Sequence, residues 1–314
     1  MLHRTTGMKD KNVVITGGAG FIGANLAEEL AAHNRVVIID DLSSGKRQNV
    51  ADLLRGNVEF IEGSIGDLPL LKRVFKNVDF VFHQAAISSV PRSIENPLET
   101  NAVNVTGTLN VLLAARDSGV RKVVYASSTA VYGDTLALPQ REDIMPNPQS
   151  PYAVAKLVGE YYCRVFHTVY GLPTVSLRYF NVYGPKQDPG SEYSAVIPRF
   201  IKRLSEGKPL VIYGDGEQTR DFVFIADVVQ ANILAAESDA AGVFNIGQGR
   251  SVTINRLAEL TGRIMNKDVG IVYEKARAGD IRESLAEISK ASVFGYRPQY
   301  DLEHGLRETI GRLA

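Results

Sequence analysis

The apolar residues of this chain follow two alternating patterns over roughly the first 180 positions. Short runs rich in β-branched residues predict buried strands at Val13–Ile15, Val36–Ile39, Val58–Ile61, Val78–His83, Lys122–Ala126 and Thr174–Leu177. Segments whose apolar positions recur with the helical period predict helices at Ile22–Leu30, Asp67–Phe75, Pro97–Ser118 and Pro151–Tyr170. Regular alternation of strand and helix indicates an α/β fold with a doubly wound parallel sheet.

The pattern changes after residue 180, where the Pro- and Gly-rich stretch Asn181–Gly190 predicts a loop that leaves the sheet. Shorter elements follow. They are predicted as helices at Ser194–Gly207, Ala226–Glu237, Ile254–Met265, Ser289–Phe294 and Leu302–Leu313, and as strands at Leu210–Tyr213, Phe222–Ile225 and Val243–Ile246. We therefore predict a sheet domain over residues 1–180 and a smaller C-terminal α/β lobe over 181–314, with a segment near 221–247 returning to the sheet.

Three glycines follow the first predicted strand with the spacing G-x-x-G-x-x-G. Gly17 permits a tight strand-to-helix turn, Gly20 lets a pyrophosphate approach the backbone, and Gly23 lets the helix pack close to the strand. The free N–H groups at the helix start, Phe21 and Ile22 included, can then bind phosphates. This arrangement predicts a dinucleotide cofactor.

An acidic pair, Asp40 and Asp41, ends the second strand, and Asp40 lies 17 residues beyond Gly23. A carboxylate at this place accepts hydrogen bonds from an adenosine ribose diol and repels a 2′-phosphate. The position therefore favours NAD over NADP, although Lys46 and Arg47 just downstream weaken that inference.

Two further strand ends are candidates for cofactor contact. Ser64 and Ile65 follow the third strand, where an adenine ring would lie in such a fold. Gln84, Ala85 and Ala86 follow the fourth strand, and small residues there let the cofactor pass close to the sheet at its switch point.

Tyr152 and Lys156 lie four residues apart on a predicted helix and so share one face. An ammonium beside a phenol favours the phenolate, so we expect the pKa of Tyr152 to move from about 10 towards neutrality. Such a tyrosine is a general base for a hydroxyl. Ser128, at the carboxyl end of the fifth strand, can share the proton of the same hydroxyl.

Composition limits the possible partners. The formal net charge is zero, which argues against nucleic acid or an anionic membrane as the main partner. Only one cysteine occurs, Cys163, which fits a reducing cytoplasm. No apolar stretch reaches the roughly 18 residues of a membrane span, and Met1–Lys11 lacks the apolar core of a signal peptide. The five histidines have no metal-ligand spacing, so no metal site is expected.

Six motifs in order carry a resemblance to a known family: TGGAGFIG (Thr16–Gly23), HQAA (His83–Ala86), SSTAVYGD (Ser127–Asp134), YAVAK (Tyr152–Lys156), LRYFNVYGP (Leu177–Pro185) and TRDFVFIADV (Thr219–Val228). Together they resemble the extended short-chain dehydrogenases/reductases, and within them the nucleotide-sugar 4-epimerases. The resemblance implies a Rossmann-type NAD-binding domain followed by a substrate lobe.

The mechanism that the resemblance implies is oxidation and re-reduction of a UDP-sugar at C4. Tyr152 would take the proton of the 4-hydroxyl, and C4 would give its hydride to NAD⁺. The 4-keto sugar would turn about its diphosphate linkage, and the hydride would return to the other face. The protein orients the reactants while the cofactor supplies the redox chemistry. Lys156 would also hold the nicotinamide ribose.

The resemblance also implies residue roles at matching positions. Tyr179 would contact the cofactor, Asn104 would be structural, Asn181 would meet the diphosphate, Arg220 and Arg277 would pair with it, and Asp280 would hold the UDP ribose. The other candidates for the substrate pocket are Ser88, Ser89, Ala195, Val196, Tyr213 and Ser284. Many relatives have Asp where this chain has Ser64, which puts the adenine contact of Ser64 in doubt.

Sister activities need groups that this chain lacks. The 4,6-dehydratases place Asp-Glu directly after the strand's Ser/Thr, and UDP-glucuronate decarboxylases place Glu at the second of these positions. Here the two residues are Thr129 and Ala130. Simple epimerisation is favoured, while a uronic-acid 4-epimerase, a dehydratase or decarboxylase, and a non-catalytic NAD-binding sensor stay open as alternatives.

The stretch Gly279–Lys290 resembles the family segment that limits substrate size, and the resemblance implies that Ser284, four residues after Asp280, faces the sugar 2-substituent. A bulky Tyr at this position restricts relatives to glucose and galactose, whereas a serine leaves room for a 2-N-acetyl group. We therefore expect UDP-GlcNAc and UDP-GalNAc as substrates, with UDP-Glc and UDP-Gal turnover persisting because an enlarged pocket discriminates weakly against a smaller ligand. The resemblance further implies a homodimer through a four-helix bundle of Pro97–Ser118 and Pro151–Tyr170.

Overall fold

The computed structural model describes residues 7–188, 195–268, 270–276 and 281–312. The strands are β1 Asn12–Thr16, β2 Arg35–Asp40, β3 Val58–Glu62, β4 Phe80–His83, β5 Lys122–Ser128, β6 Thr174–Tyr179, β7 Asn181–Tyr183, β8 Leu210–Tyr213, β9 Thr219–Phe224, β10 Gly242–Ile246, β11 Ser251–Thr253 and β12 Ile271–Glu274. The α-helices are α1 Phe21–Ala31, α2 Leu68–Val74, α3 Val90–Glu95, α4 Pro97–Asn101, α5 Thr108–Asp117, α6 Pro151–Tyr170, α7 Val196–Ser205, α8 Ile225–Glu237, α9 Ile254–Met265 and α10 Leu302–Gly311. Segments of 3-10 helix occur at Arg47–Arg55, Thr129–Tyr132 and Ser289–Phe294.

A seven-stranded sheet in the order β10-β6-β5-β4-β1-β2-β3 forms the centre of the molecule. All of its pairs are parallel, and the order reverses between β1 and β4. The predicted Rossmann-type α/β fold is confirmed. The carboxyl ends of these strands lie at one edge, where ligands bind in such folds.

Both faces of the sheet are covered, which explains why its strands are continuous apolar runs. Val13 and Ile15 of β1 face one core, which helices α1 and α8 cover. Val14 faces the second core, which α2, α5 and α6 cover. Successive residues of one strand therefore enter different cores, as the period of two requires.

The C-terminal half adds two small sheets, β11-β9-β7 and β12-β8. Strand β10 pairs with β6 and so belongs to the main sheet. The prediction of a loop from Asn181 is wrong for its first three residues, because β7 pairs with β9. No sequence signal marked β7, β11 or β12, which are three or four residues long. The boundary between residues 180 and 181 stays a prediction.

The helix predicted over Pro97–Ser118 is interrupted, since a π-helical segment, Ala102–Gly107, separates α4 from α5. Asn104 lies inside it and makes two hydrogen bonds to the backbone of Ile87, donating to its oxygen (3.0 Å) and accepting from its nitrogen (2.8 Å). Segments of this kind are frequent at functional sites, and this one fixes the loop after β4. Within the described residues, no helix has the length and apolarity that crossing a membrane requires.

Candidate active site

The glycine loop after β1 leaves no room for side chains. Gly17 has a φ of 70°, and a Cβ added there would lie 2.6 Å from the backbone of Ala85. A Cβ added at Gly23 would collide with the Gly17 carbonyl and lie 2.7 Å from the Gly18 Cα. Helix α1 begins at Phe21 with Gly20 as its N-cap and no side-chain cap. The helix start can therefore meet a phosphate through its backbone N–H groups.

Asp40 holds this loop against β2. Its side chain is buried, and its two oxygens accept hydrogen bonds from the backbone of Ala19 and of Leu42, each at 2.9 Å. Burial raises the pKa of Asp40, while these backbone bonds act in the opposite direction. Asp41 is exposed and accepts bonds from the backbone and hydroxyl of Ser43. Contact of either carboxylate with a ribose stays a prediction.

The other candidates for cofactor contact differ in exposure. Ser64 is half-buried and its hydroxyl oxygen accepts a hydrogen bond from the Gly66 backbone (3.1 Å), whereas Ile65 is buried against Gly107. Ala85 and Ala86 are half-buried at the end of β4, with Ala85 against Gly17.

Gln84 belongs to a polar cluster between the ends of β4 and β6. Its amide nitrogen donates to the Tyr179 hydroxyl (3.2 Å) and to Asn232 Oδ1 (3.1 Å), and Tyr179 itself donates to Asn232 Oδ1 (2.9 Å). Burial raises the pKa of Tyr179 to about 12, so its hydroxyl stays protonated at neutral pH. The cluster joins two strand ends to α8, beside the glycine loop.

His83 is buried at the end of β4. Its Nδ1 lies 2.7 Å from the Thr16 hydroxyl and its Nε2 2.9 Å from the Thr108 hydroxyl. Burial, with the nearby charge of Lys156, lowers the pKa of His83 to about 3. The ring is therefore neutral, and its position between β1 and α5 is consistent with a structural histidine.

Lys156 reaches the carboxyl-terminal part of β5. Its side chain is buried, and its ammonium donates to the Ala126 carbonyl at 2.6 Å. The Nζ atom lies 5.9 Å from the centre of the Tyr152 ring. Burial lowers the pKa of Lys156 to about 8.

Tyr152 departs from the sequence-based expectation in its pKa. Burial raises the pKa of Tyr152, and a hydrogen bond with Ser128 acts in the lowering direction. The predicted lowering by Lys156 is wrong for the protein alone, because the Lys156 ammonium is directed to the Ala126 carbonyl. The role of Tyr152 and Ser128 at one substrate hydroxyl stays a prediction.

The start of α6 is fixed by two serines. Ser150 is the N-cap and accepts from the Ala153 backbone, and the Tyr152 backbone donates to the Ser93 hydroxyl (3.2 Å). Helix α3, which carries Ser93, has Ser89 as its own N-cap, while Ser88 is exposed. These contacts set the height of Tyr152 above the strand end.

A cavity of about 380 Å³ lies between the small sheets and α7. Five predicted substrate residues line it together: Asn181, Ala195, Val196, Tyr213 and Arg220. Arg199 also lines the cavity, with its guanidinium carbon 5.5 Å from the centre of the Tyr213 ring. Two guanidinium groups at one cavity suit a diphosphate.

Asp221 supports this cavity from behind. It is fully buried and accepts hydrogen bonds from the backbones of Gln248 (2.7 Å), Gly249 (2.9 Å) and Ala286 (3.1 Å). Asn181 Nδ2 donates to the Asp221 carbonyl (3.2 Å). One carboxylate thus ties β9 to two separate chain segments.

Ser284 is buried, and its hydroxyl lies near the carboxyl end of β5. Its hydroxyl lies 3.5 Å from Gln140 Oε1, and the Thr129 hydroxyl lies 3.4 Å from the same atom. The structure therefore brings Ser284 close to the residue that follows Ser128. Arg277 and Asp280 lie outside the described residues, so their predicted roles stay predictions.

Comparison with known proteins decides the family, since residues 13–247 match the NAD dependent epimerase/dehydratase family. The chain belongs to the NAD dependent epimerase/dehydratase family. NAD is therefore its cofactor.

Similar proteins cover nearly the whole of this epimerase/dehydratase chain. A structure of the UDP-N-acetylglucosamine 4-epimerase from Methanobrevibacter ruminantium M1 in complex with UDP-N-acetylmuramic acid is 45% identical, with a TM-score of 0.95 and coverage of 98% of this chain and 99% of that one. The UDP-glucose 4-epimerase of Mycolicibacterium smegmatis is 38% identical over 95% of this chain and 96% of its own. The UDP-glucuronic acid 4-epimerase from Bacillus cereus, with UDP-glucuronic acid and NAD, is 33% identical, with a TM-score of 0.89 and coverage of 96% and 98%.

The residues present fit NAD. The glycine loop forms a cradle that a Cβ at position 17 or 23 would fill. The buried Asp40 carboxylate fixes the loop from behind without adding a side chain to the cradle. We assign the phosphates to the backbone at the start of α1, where peptide N–H groups and the helix dipole favour negative charge.

Several residues of this epimerase/dehydratase site escaped sequence reasoning. Arg199 and Gln218 line the cavity, and Gln140 lies between Thr129 and Ser284. Arg199 follows the predicted Val196 by three positions, so helical spacing could have marked it. Nothing in the sequence around Gln140 indicates its long-range contacts.

Proposed function

We propose that this enzyme is an NAD-dependent 4-epimerase of UDP-hexoses, which interconverts UDP-GlcNAc and UDP-GalNAc and also turns over UDP-Glc and UDP-Gal. The observation that carries the proposal is that Tyr152, Ser128 and Lys156 lie close together at the carboxyl end of β5. The likeness to the M. ruminantium UDP-N-acetylglucosamine 4-epimerase supports it.

The chain's own groups handle the proton. Tyr152 takes the proton of the sugar 4-hydroxyl, and the nearby Ser128 hydroxyl shares it. Lys156 carries its charge at neutral pH, since its pKa is about 8. NAD, when bound, would supply a hydride acceptor and donor for C4, and its positively charged ring would favour the Tyr152 phenolate. Tyr152 gives the proton back after the 4-keto sugar has rotated to present its other face.

The cavity between α7 and the small sheets holds the UDP moiety in this proposal. Arg220 and Arg199 neutralise the diphosphate, and Asn181 contributes an amide. Tyr213 presents an aromatic face at the end of β8. The sugar then extends towards Ser128, with free rotation about the diphosphate linkage.

The residues after Ser128 favour epimerisation over elimination or decarboxylation. Thr129 directs its hydroxyl to Gln140, and Ala130 offers only a methyl group beyond its backbone. Neither is an acid or a base that could act on a second carbon of the sugar. Oxidation and re-reduction at C4 needs no further group.

Ser284 supports the assignment of the N-acetyl sugar. A serine leaves space where a larger side chain would meet the substituent at C2, and its hydroxyl can hydrogen-bond an amide. Its position supports this proposal, since Ser284 and Thr129 share a contact with Gln140, and Thr129 directly follows Ser128.

UDP-glucuronate is the second candidate substrate. The likeness to the B. cereus UDP-glucuronic acid 4-epimerase favours it, and the same Tyr152 chemistry would serve. The two candidates differ only at C2 and C6 of the sugar.

We further propose a homodimer in the cytoplasm. Helix α6 exposes Val154, Tyr161, Val165 and Val169, which repeat every four or seven residues along one face, and Leu98 of α4 is also exposed. Pairing of this face with a second copy would bury the stripe, as in a four-helix bundle. The single, buried cysteine is consistent with a reducing compartment.

A proton NMR time course of purified enzyme tests the proposal. Three tubes contain UDP-GlcNAc, UDP-Glc or UDP-glucuronate, and a parallel set receives added NAD. We expect UDP-GalNAc to appear faster than UDP-Gal. Turnover of UDP-glucuronate alone would identify the second candidate as the substrate. If no tube with added NAD shows turnover, the enzyme is not an epimerase of these sugars.

A further inference from the structure

Three consecutive residues of β5 contact three successive turns of α6. Ala126 accepts from the Lys156 ammonium (2.6 Å), Ser127 donates to Glu160 Oε1 (2.5 Å), and the Ser128 hydroxyl is close enough to the Tyr152 phenol to counter the rise in its pKa. The helix residues are spaced by four, so they share one face. The first and third contacts belong to the proposed catalytic groups, which leaves the contact of Glu160 unexplained by the chemistry.

Glu160 is one half of a buried ion pair. Its two carboxylate oxygens accept from Nε (2.8 Å) and Nη2 (2.7 Å) of Arg178, and both side chains are only 3% exposed. Arg178 lies on β6 directly opposite Ser127 in the sheet register. The pair therefore fastens α6 to β5 and β6 at one point, one turn beyond Lys156.

The guanidinium depends on this partner. Among the described residues, Arg178 Nη1 has no hydrogen-bond partner although it is buried. The Tyr132 ring covers the guanidinium carbon at 4.6 Å. Such a group keeps its place because Glu160 neutralises it, since an unpaired buried charge is strongly unfavourable.

The contacts continue towards Ser284. The Tyr132 hydroxyl donates to Asn245 Oδ1 (2.6 Å), and Asn245 Nδ2 donates to the carbonyls of Gln140 (2.8 Å) and Glu287 (3.0 Å). Glu287 lies three residues after Ser284. The ion pair is thus connected both to the catalytic helix and to the segment that carries Ser284.

We propose that Glu160 and Arg178 are positioning residues for the reaction: their ion pair sets the height and rotation of α6 on the sheet, so that Tyr152 and Lys156 meet Ser128 and the sugar in reactive geometry. This inference rests on the proposed function. Neither side chain touches the reacting atoms. The bidentate geometry resists sliding of the helix along the strand, which apolar packing alone does not.

Stability alone does not account for the pair. Replacing a buried ion pair by apolar residues of similar volume is often neutral or stabilising, whereas removing one partner is destabilising. A double substitution can therefore keep the fold while it removes the directional contact. Small misplacement of catalytic groups lowers rates about a hundredfold, so stability and rate should separate in such a variant.

The test compares E160M/R178M with a matched double variant of an exposed ion pair, R263M/E303M, which joins α9 and α10 at 2.7 Å. We expect E160M/R178M to keep its melting temperature and its NAD affinity, to lose about tenfold to a hundredfold in kcat, and to change KM less than threefold. The control should keep its kcat. Wild-type kcat in E160M/R178M would overturn the proposal.

Two milder variants cover the case in which the double variant fails to fold. Glu160→Asp shortens the side chain while keeping its charge. Ser127→Ala removes the hydrogen bond between Ser127 of β5 and Glu160 of α6, while the ion pair with Arg178 is kept. We expect both to fold and to lose about threefold to tenfold in kcat at unchanged KM. Wild-type kcat in both would refute the positioning role.

A crystallographic readout separates this inference from the proposed function. If the wild-type enzyme converts none of the UDP-sugars, the proposed function fails, and structures of wild type and E160M/R178M still test the positioning. We expect the Tyr152 hydroxyl to move away from Ser128 by about 1 Å in the variant. An unchanged distance would contradict the inference.

Discussion

Two regions of this molecule can be compared: the cofactor side, which is the glycine loop of residues 17–23, and the substrate side, which is the cavity lined by Arg220 and Tyr213. One buried carboxylate supports each region, but the partners of the two carboxylates lie at different distances along the sequence. Asp40 accepts from backbone groups 21 and 2 residues away, all within one βαβ unit. Asp221 accepts from groups 27, 28 and 65 residues away. The glycine loop is therefore held by a carboxylate from the same βαβ unit, whereas the carboxylate behind the cavity joins segments that only the fold brings together.

The two sides also use different parts of the chain for contact. In the glycine loop, side chains are excluded at Gly17 and Gly23, so our proposal gives the cofactor contacts there to the backbone. Side chains such as Arg220 and Tyr213 line the cavity, and our proposal gives the substrate contacts to them. In the proposed function Tyr152 and Ser128 act on the sugar between the cofactor and the UDP moiety, so changes there should affect chemistry without disturbing binding on either side.

The largest expected effect comes from Tyr152→Phe, which removes the group at the junction. We expect kcat to fall about 10³-fold because the general base is lost, while NAD and UDP affinities and the melting temperature stay within error. NMR rates and calorimetric titrations measure these quantities. Tyr161→Phe, at an exposed position of the same helix, is the control; a kcat of Tyr152→Phe close to that control would exclude Tyr152 as the base.

Gly23→Ala should break the cofactor side alone. The added methyl would collide with the Gly17 carbonyl, and we expect NAD affinity to fall by about a hundredfold or more, since the loop cannot keep its close approach. UDP affinity should change less than threefold. Gly311→Ala, where a Cβ meets nothing within 4 Å, is the control. Equal losses of NAD and UDP affinity would argue against two separable sides.

Asp221→Ala should break the substrate side alone. Three backbone N–H groups would lose a buried acceptor, so we expect the free energy of unfolding to fall by roughly 2–4 kcal/mol. UDP affinity should fall with it, while NAD affinity is retained at temperatures where the variant is folded. Urea unfolding and titration measure both. The exposed Asp52→Ala serves as the control, and unchanged UDP affinity would contradict the supporting role of Asp221.

Acid should destabilise the folded protein through His83, which is buried beside the cofactor side. Its pKa is lowered to about 3 in the folded protein, so between pH 6.5 and 3 the unfolded chain binds a proton that the folded chain does not. The free energy of unfolding should therefore fall as the pH falls from 6.5, by about 2 kcal/mol at pH 5. His83→Gln should show a smaller slope in urea unfolding at several pH values, and the exposed His33→Gln the wild-type slope. Identical slopes in wild type and His83→Gln would show that another group causes the loss.

The smallest expected effect sharpens the substrate side. Ser284→Tyr should lower kcat/KM for UDP-GlcNAc about tenfold and for UDP-Glc less than threefold, because the larger side chain competes with the N-acetyl group for space. Ser284→Ala is the control for loss of the hydroxyl alone. Equal losses on both sugars would mean that Ser284 does not select the substituent at C2.

The sequence was sufficient for the cofactor side because its signals are local. The apolar run of the first strand, the glycine spacing and Asp40 all lie within 30 residues. The continuous apolar runs of the strands also indicate a sheet that is buried on both faces. On the substrate side, strands β7 and β11 have three residues each and exist through their pairing with β9, so no periodicity could reveal them. The π-helical break depends on the contact of Asn104 with Ile87, 17 residues away.

The pKa of Tyr152 shows a similar limit. Spacing placed Tyr152 and Lys156 on one helix face, but the direction of the ammonium depends on the Ala126 carbonyl of a different element. The ion pair of Glu160 with Arg178 likewise joins a helix and a strand. Long-range pairs of this kind are invisible to motif spacing.

The most direct test of the account follows the hydrogen at C4 of the sugar. UDP-GlcNAc carrying deuterium at C4 would be converted in ordinary water, and the product examined by proton NMR and mass spectrometry. The account predicts UDP-GalNAc that keeps its deuterium at C4, because the hydride leaves and returns within the site. UDP-GalNAc with a solvent hydrogen at C4 would contradict inversion by hydride transfer.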